Sequence, residues 1–69
     1  MMSLGKEIKK ARIEKGWKQK DLQQALEISQ KSLSEIELDK VDPRWSVVKR
    51  IAAALDVSVA QLAEEAPRG

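Results

Sequence analysis

The sequence predicts an all-α domain built from five short helices. Apolar residues recur at the three- and four-residue spacing of helices, and no stretch shows the strict alternation of a strand. Turn-forming residues divide the 69 residues into five short segments, which leaves no room for a second domain. We therefore expect residues 1–69 to form a single domain.

The first three helices are predicted from apolar spacing and from the residues that end each segment. A first helix is expected from Leu4 to Lys15, because Gly16 follows as a helix stop. A second is expected from Gln19 to Leu26. A third is expected to begin after Ser29, a good N-cap, and to end near Leu38. Their predicted inward positions are Leu4, Ile8, Ala11 and Arg12, then Leu22, Ala25 and Leu26, then Leu33 and Ile36.

The last two helices follow a turn at residues 39–43. Pro43 excludes a helix through this turn, so a fourth helix is predicted from Arg44 to Leu55. Ser58 is expected to cap a short fifth helix, and residues 66–69 are expected to form a frayed tail. The predicted inward positions are Trp45, Val48, Ile51, Ala52 and Leu55, then Val59, Leu62 and Ala63; Trp17 is also expected in the core.

The absence of cysteine and histidine from the sequence excludes several kinds of chemistry. Disulfides and thiolate metal sites cannot form, and the commonest general base and metal ligand is missing. Glu64 and Glu65 are adjacent carboxylates, but helical neighbours point about 100° apart and do not converge on one site. We therefore expect no enzymatic activity, no metal, no cofactor and no small-molecule ligand.

Hydropathy and charge indicate which partners the chain can have. No apolar run approaches the roughly 20 residues that span a bilayer, so we expect a soluble, cytoplasmic protein without a membrane partner. Residues 1–20 carry seven Lys or Arg and two Glu, whereas residues 21–69 carry six basic and nine acidic residues. This asymmetry is typical of an end that faces a polyanion, although a solvated helix face explains the same lysines.

Residues 19–38 have the spacing of a helix-turn-helix, in which two short helices are joined by a short turn. Leu22 and Leu26 are spaced to be buried by the first of these helices, and Ile28 by the turn. Leu33 and Ile36 are spaced to be buried by the second, whose other face stays free for the major groove of DNA. A random amphipathic helical hairpin reproduces part of this spacing.

More of the chain fits one family. The segments at residues 4–12, 14–19, 25–34, 36–37, 40–43 and 51–58 occur in combination. From Leu4 to Leu62 they resemble the phage repressor and Cro family of helix-turn-helix proteins. The resemblance implies a five-helix, lambda-repressor-like domain that binds operator DNA as a two-fold dimer.

The resemblance also assigns roles in DNA binding to single residues. Gln19 occupies the position of a glutamine that contacts a phosphate and the recognition helix, which is the third helix. Lys40 and Arg44 flank the turn after that helix, where family members touch phosphate. The base-reading positions are Gln30, Lys31, Ser34 and Glu35.

Two further sets of residues have structural roles in the family. Arg12 and Glu37 match an ion pair that bridges the first and third helices. Val59, Leu62 and Ala63 lie in the region that supports a dimer, and so small an apolar strip implies weak association. Completion of the chain's own core is the alternative role for Val59 and Leu62.

The sequence departs from the family pattern at five positions. Lys18 stands where an N-cap Ser, Thr or Asn is usual, although Asp21 in the first turn compensates in part. Gln23 stands where alanine allows the two helices to cross closely. Glu27 replaces a glycine that ends the second helix in the left-handed region, and two aspartates replace such glycines elsewhere, Asp39 and Asp56.

Two hypotheses for function follow. The first is a sequence-specific transcriptional regulator that binds double-stranded DNA as a homodimer. The second is a protein-interaction module of the same fold that has lost DNA binding. Gln23, Glu27 and the net acidic third helix motivate the second, because residues 29–39 hold one Lys and three acidic residues.

Overall fold

The computed structural model describes residues 4–63, and within them every side chain except that of Ala63. The predicted tail at residues 66–69 lies outside this range. Over the described range no residue lies in a strand, which confirms the all-α prediction. None of the helices in this part of the chain has the length and hydropathy to cross a bilayer. The helices are α1 (Leu4–Glu14), α2 (Gln19–Leu26), α3 (Gln30–Glu37), α4 (Trp45–Leu55) and α5 (Val59–Ala63).

Four of the turns use a residue in the left-handed region of backbone space. Gly16 has a φ of 84° after α1, where no side chain opposes that conformation. Glu27, Asp39 and Asp56 have φ values of 59°, 61° and 60°, which confirms that they occupy glycine-like positions. The conformation costs about 1 kcal/mol for Glu27, and less for aspartate, which tolerates this region.

The N-termini of α2, α3 and α5 are capped in two ways. Ser29 Oγ accepts a hydrogen bond from the Ser32 N–H at 3.1 Å, and Ser58 Oγ accepts one from the Gln61 N–H at 3.1 Å. Lysine at position 18 has no acceptor to offer the first turn of α2. Asp21 compensates from inside the helix, since its Oδ2 accepts from the Lys18 N–H at 2.8 Å.

The core lies where α1 packs against α3, α4 and α5, and where α2 packs against α3 and α4. Trp17 is half-buried and packs against this core from the loop after α1. Burial of one large aliphatic side chain stabilises the fold by about 1.5–3 kcal/mol. The largest fully buried side chains are Ile8, Leu22, Leu26, Leu33 and Ile51.

The prediction that Trp45 packs in the core is wrong. Its side chain is 50% exposed. Helical periodicity predicts that Trp45 lies on the same inward face of α4 as Val48 and Ile51. Val48, however, is the first residue of the helix that is buried. Trp45 is the first residue of the helix, one turn beyond the part that the other helices cover.

The predicted inward position of Ala25 is also wrong, because Ala25 is exposed. The face of α2 that turns inward holds Leu22 and Leu26, together with the half-buried Gln19 and Gln23. This face has the regular i, i+3, i+4, i+7 spacing of a helix. Polarity favoured alanine over glutamine for the inward position, but contacts with α3 and α4 orient the helix the other way.

Candidate nucleic-acid interface

The pair α2 and α3 has the arrangement predicted for a helix-turn-helix. The turn between them, residues 27–29, contains the half-buried Ile28, which packs against the core as the spacing predicted. Arg50 of α4 supports the pair, since its Nη2 donates a hydrogen bond to the Leu26 carbonyl oxygen at 2.7 Å. The packing of Ile28 and the hydrogen bond from Arg50 therefore both fix the C-terminal end of α2. The helix α3 begins immediately after the three-residue turn.

The outer face of α3 forms one shallow depression with a volume of about 440 Å³. Gln30 and Lys31 are exposed in its first turn, while Ser34 and Glu35 are half-buried one turn further along. The structure thus brings the four predicted base-reading residues together on one surface. The depression is lined by Gln30, Lys31, Ser34, Glu35, Leu38 and Lys40.

The charge of this surface differs from the formal charge of α3. Lys31 and Lys40 line the depression against a single carboxylate, that of Glu35. The other glutamate of the helix, Glu37, is 5% exposed and faces the interior. The charges of Lys31 and Glu35 on α3 cancel, and Lys40 from the loop after the helix makes the depression weakly basic, which suits an anionic partner.

The orientation of α3 depends on a buried polar network around Glu37. Arg12 Nε donates to Glu37 Oε2 at 2.8 Å, and Arg12 Nη2 donates to Glu37 Oε1 at 3.3 Å. Arg12 Nη1 donates to the Trp17 carbonyl oxygen at 2.9 Å. The side chains of Arg12 and Glu37 are only 9% and 2% exposed. The network joins α1, the loop after it and α3.

Gln19 belongs to the same network. Its Nε2 donates to Glu37 Oε1 at 3.0 Å, so the first residue of α2 is tied to the last residue of α3. No buried side-chain nitrogen or oxygen within residues 4–63 lacks a hydrogen-bond partner. A satisfied network of this kind specifies one relative position of the helices, whereas the loss of one partner leaves a buried charge.

The three residues predicted to contact phosphate lie in three different elements, the start of α2, the loop after α3 and the N-cap of α4. Lys40 borders the depression. Gln19 lies at the start of α2, with an amide whose second N–H is not used in its bond to Glu37. Arg44 is exposed and precedes α4 outside the depression.

The residues expected at a dimer interface have different environments. Leu62 is 2% exposed and belongs to the core of its own chain. Val59 is half-buried and packs against that core. The side chain of Ala63 lies outside the described residues. Within one chain, Leu62 therefore completes the core, which was the alternative role given for it.

Sequence reasoning missed two features of this region. Leu38, treated only as the end of the third helix, is 61% exposed and borders the depression. Its position three residues after Glu35 and four after Ser34 is the helical spacing that identifies it. Asp39 Oδ1 accepts from the Gly5 N–H at 2.9 Å, which joins the start of α1 to the end of α3. No sequence pattern indicated this contact.

The fold and the exposed α3 define a helix-turn-helix protein of the DNA-binding class. Residues 8–62, most of the chain, match the model of a family described as helix-turn-helix. The chain therefore belongs to the helix-turn-helix family of phage repressor and Cro type, and it has a lambda-repressor-like fold. No curated protein matches it.

Members of this family are DNA-binding regulators, and DNA binding is the function that the family assigns to the chain. The residues that the structure describes contain no cluster of acidic side chains able to hold a metal ion. The surface of α3 carries hydrogen-bond donors and acceptors at helical spacing, and such groups can recognise a binding partner.

Proposed function

We propose that this chain is a sequence-specific transcriptional regulator that inserts α3 into the major groove of operator DNA and acts as a homodimer. It carries out no catalysis and needs no cofactor. The observation that supports this most directly is the depression along α3, where Gln30, Lys31, Ser34 and Glu35 lie side by side.

These side chains have the chemistry needed to distinguish base pairs. The amide of Gln30 can bond adenine through both its donor and its acceptor, and the Lys31 ammonium can bond guanine. The carboxylate of Glu35 can accept from the cytosine amino group. Ser34 is short and can bond to either kind of base-edge group. Because Gln30 and Lys31 are in the first turn of α3, they lead the helix into the groove.

Phosphate contacts fix the position of α3 and supply the affinity that does not depend on sequence. Gln19 binds phosphate through its second amide N–H while the first stays on Glu37. Lys40 and Arg44 bind phosphates beyond the end of α3. The lysines of α1 add long-range attraction, and Lys6, Lys9 and Lys10 border one surface of that helix.

Regulation acts through the number of bound copies of this helix-turn-helix domain. Two copies related by a two-fold axis bind two half-sites one helical turn apart, about 10 base pairs from centre to centre. The apolar strip on the fifth helix is small, so the dimer is weak in solution and is reinforced when both copies bind the operator.

Selection of bound duplexes from a random pool tests the proposal. The expected result is an enriched inverted repeat with half-site centres about 10 base pairs apart. An enriched motif without two-fold symmetry contradicts the dimer, and the absence of any enriched motif contradicts sequence-specific binding.

A second candidate is a protein-interaction module that has lost DNA binding. It is favoured by exposed apolar side chains near the end of α3, since Leu38, Val41 and Trp45 are 61%, 42% and 50% exposed. Salt dependence separates the two. A DNA-binding protein loses affinity for random duplex with a clear negative slope of log affinity against log salt. Failure to bind any duplex at low salt supports the interaction module.

A further inference from the structure

Leu38 has the largest exposed fraction among the large apolar side chains of residues 4–63, at 61%. It directly follows Glu37, the last residue of α3, and its N–H still donates to the Ser34 carbonyl oxygen. Its side chain lies on the same helical face as Ser34 and Glu35, which precede it by four and three residues. The base-reading face of α3 therefore ends in an apolar group.

The surroundings of Leu38 separate it from the other exposed apolar residues. Among the described residues that line the depression, Leu38 is the one apolar member, and the rest are polar or charged. Val41 lines a different, mostly apolar groove. A docking surface for a protein is expected to be a continuous apolar patch. Leu38 is instead a single apolar group within a polar, base-reading surface.

The major groove presents one kind of apolar group at the edge of a base, the methyl group on C5 of a pyrimidine. We propose that Leu38 contacts such a methyl group, so that the chain prefers a 5-methylpyrimidine at one position of each half-site. This inference rests on the proposed function, because it requires α3 to lie in the major groove.

Two DNA bases carry this methyl group, thymine and 5-methylcytosine. Glu35, three residues before Leu38, accepts a hydrogen bond from a cytosine amino group but is repelled by the O4 acceptor of thymine. If both side chains meet one base, the base is 5-methylcytosine. If they meet successive bases, Glu35 does not discriminate at the base that Leu38 meets, and that base is thymine or 5-methylcytosine. Both cases give a dependence on the methyl group that no polar residue of the depression explains.

The test uses the full chain and the duplex enriched by selection. Each thymine is replaced in turn by deoxyuridine, which only removes the methyl group. Each cytosine is replaced in turn by 5-methylcytosine, which only adds one. Dissociation constants are measured for the wild type, for Leu38→Ala and for Val41→Ala. Val41 is the matched control, because it is 42% exposed but does not line the depression.

The expected result is a methyl effect at one position of each half-site in the wild type and in Val41→Ala. Its size is about fourfold per half-site, which corresponds to about 0.8 kcal/mol for one buried methyl group. Leu38→Ala loses this effect and keeps its sensitivity to the other base pairs. A thermal melt of each variant confirms folding, since both substitutions are outside the core.

Two outcomes overturn the inference. Specific binding with methyl effects that are the same in the wild type and in Leu38→Ala removes it and leaves the proposed function intact. This includes the case in which Leu38→Ala weakens all duplexes equally, as a contact with deoxyribose would. Failure of the wild type to bind any duplex overturns the proposed function, and this inference with it.

Discussion

At the scale of single residues, a close approach between α1 and α3 depends on Gly5. A Cβ atom at this position would lie 2.5 Å from the carbonyl oxygens of both Ile36 and Glu37. Both neighbours are backbone atoms, which cannot move aside as a flexible side chain can. Glycine at position 5 is therefore required by space and not by backbone conformation, because Gly5 lies within a helix.

Gly5→Ala should destabilise the fold by about 1–3 kcal/mol through overpacking. Helix propensity alone predicts the opposite sign, since alanine favours a helix over glycine by up to about 1 kcal/mol. Urea titration measures the difference. Lys9→Ala on the exposed side of the same helix is the control and should change stability by less than about 0.5 kcal/mol. A stabilising Gly5→Ala would show that the two helices do not approach so closely.

Trp45→Ala tests the correction made to the predicted core. Since Trp45 is 50% exposed, its loss should cost about 1 kcal/mol or less. Ile51→Ala, at a residue that is 0% exposed in the same helix, should cost about 2–5 kcal/mol. Equal losses in denaturant titration would mean that Trp45 packs in the core after all.

The core positions predicted for Trp45 and Ala25 were wrong because each depends on contacts between helices. Periodicity locates the inward face of α4 correctly at Val48 and Ile51, but it does not tell where neighbouring helices cease to cover that face, so Trp45 was misplaced. In α2, Ala25 and Gln23 lie on either side of the inward positions Leu22 and Leu26. The prediction placed alanine inward because it is the less polar of the two. Gln23 is half-buried and Ala25 is exposed, an outcome that depends on how α2 packs against α3 and α4.

At the scale of helices, the sequence predicted the elements themselves well. Apolar spacing and helix-ending residues located the first four helices and the start of the fifth to within one residue, because caps such as Ser29 and stops such as Gly16 act locally. Contacts between distant segments were harder to predict. The Gly5–Asp39 hydrogen bond joins residues far apart in sequence, and only a resemblance to a family pointed to the Arg12–Glu37 pair.

A double-mutant cycle of Arg12→Met and Glu37→Leu measures how strongly α1 and α3 are joined. Arg12→Met should cost about 3–5 kcal/mol, because it leaves the buried Glu37 carboxylate with Gln19 as its one remaining side-chain partner among those described. The double variant should be less destabilised than the sum of the single variants, since it removes both charges. A coupling energy indistinguishable from zero in urea titrations would contradict a structural ion pair.

At the scale of the whole molecule, the proposed dimer determines how the chain works on DNA. Leu62 is buried in the chain's own core, so a dimer formed through α5, as proposed, uses the outer side of that helix, where Ala60 and Gln61 are exposed. A surface this small supports a dissociation constant no tighter than about micromolar. The sequence indicated the region but could not tell core from interface, because both uses need apolar residues at the same spacing.

Ala60→Glu should abolish dimers in sedimentation experiments while leaving the monomer folded, because it introduces like charges across a two-fold axis. Ala53→Glu, also an exposed alanine but in α4, is the matched control and should leave association unchanged. A wild type that stays monomeric at millimolar concentration, both alone and with a two-half-site duplex, would refute the dimer.

The central claim is that α3 reads bases while the residues beyond it bind phosphate, and a comparison of Gln30→Ala with Lys40→Ala tests it most directly. Both residues are exposed and border the same depression, so neither substitution disturbs the core. Dissociation constants are measured on the selected duplex, on its single-base variants and on random duplex, at several salt concentrations. Gln30→Ala should lose about 1–3 kcal/mol on the selected duplex and relax preference at one base pair of each half-site. Lys40→Ala should weaken all duplexes about equally and make the salt slope shallower by about one unit. If the two variants lose affinity in the same way on every duplex, α3 does not read bases through Gln30 as proposed.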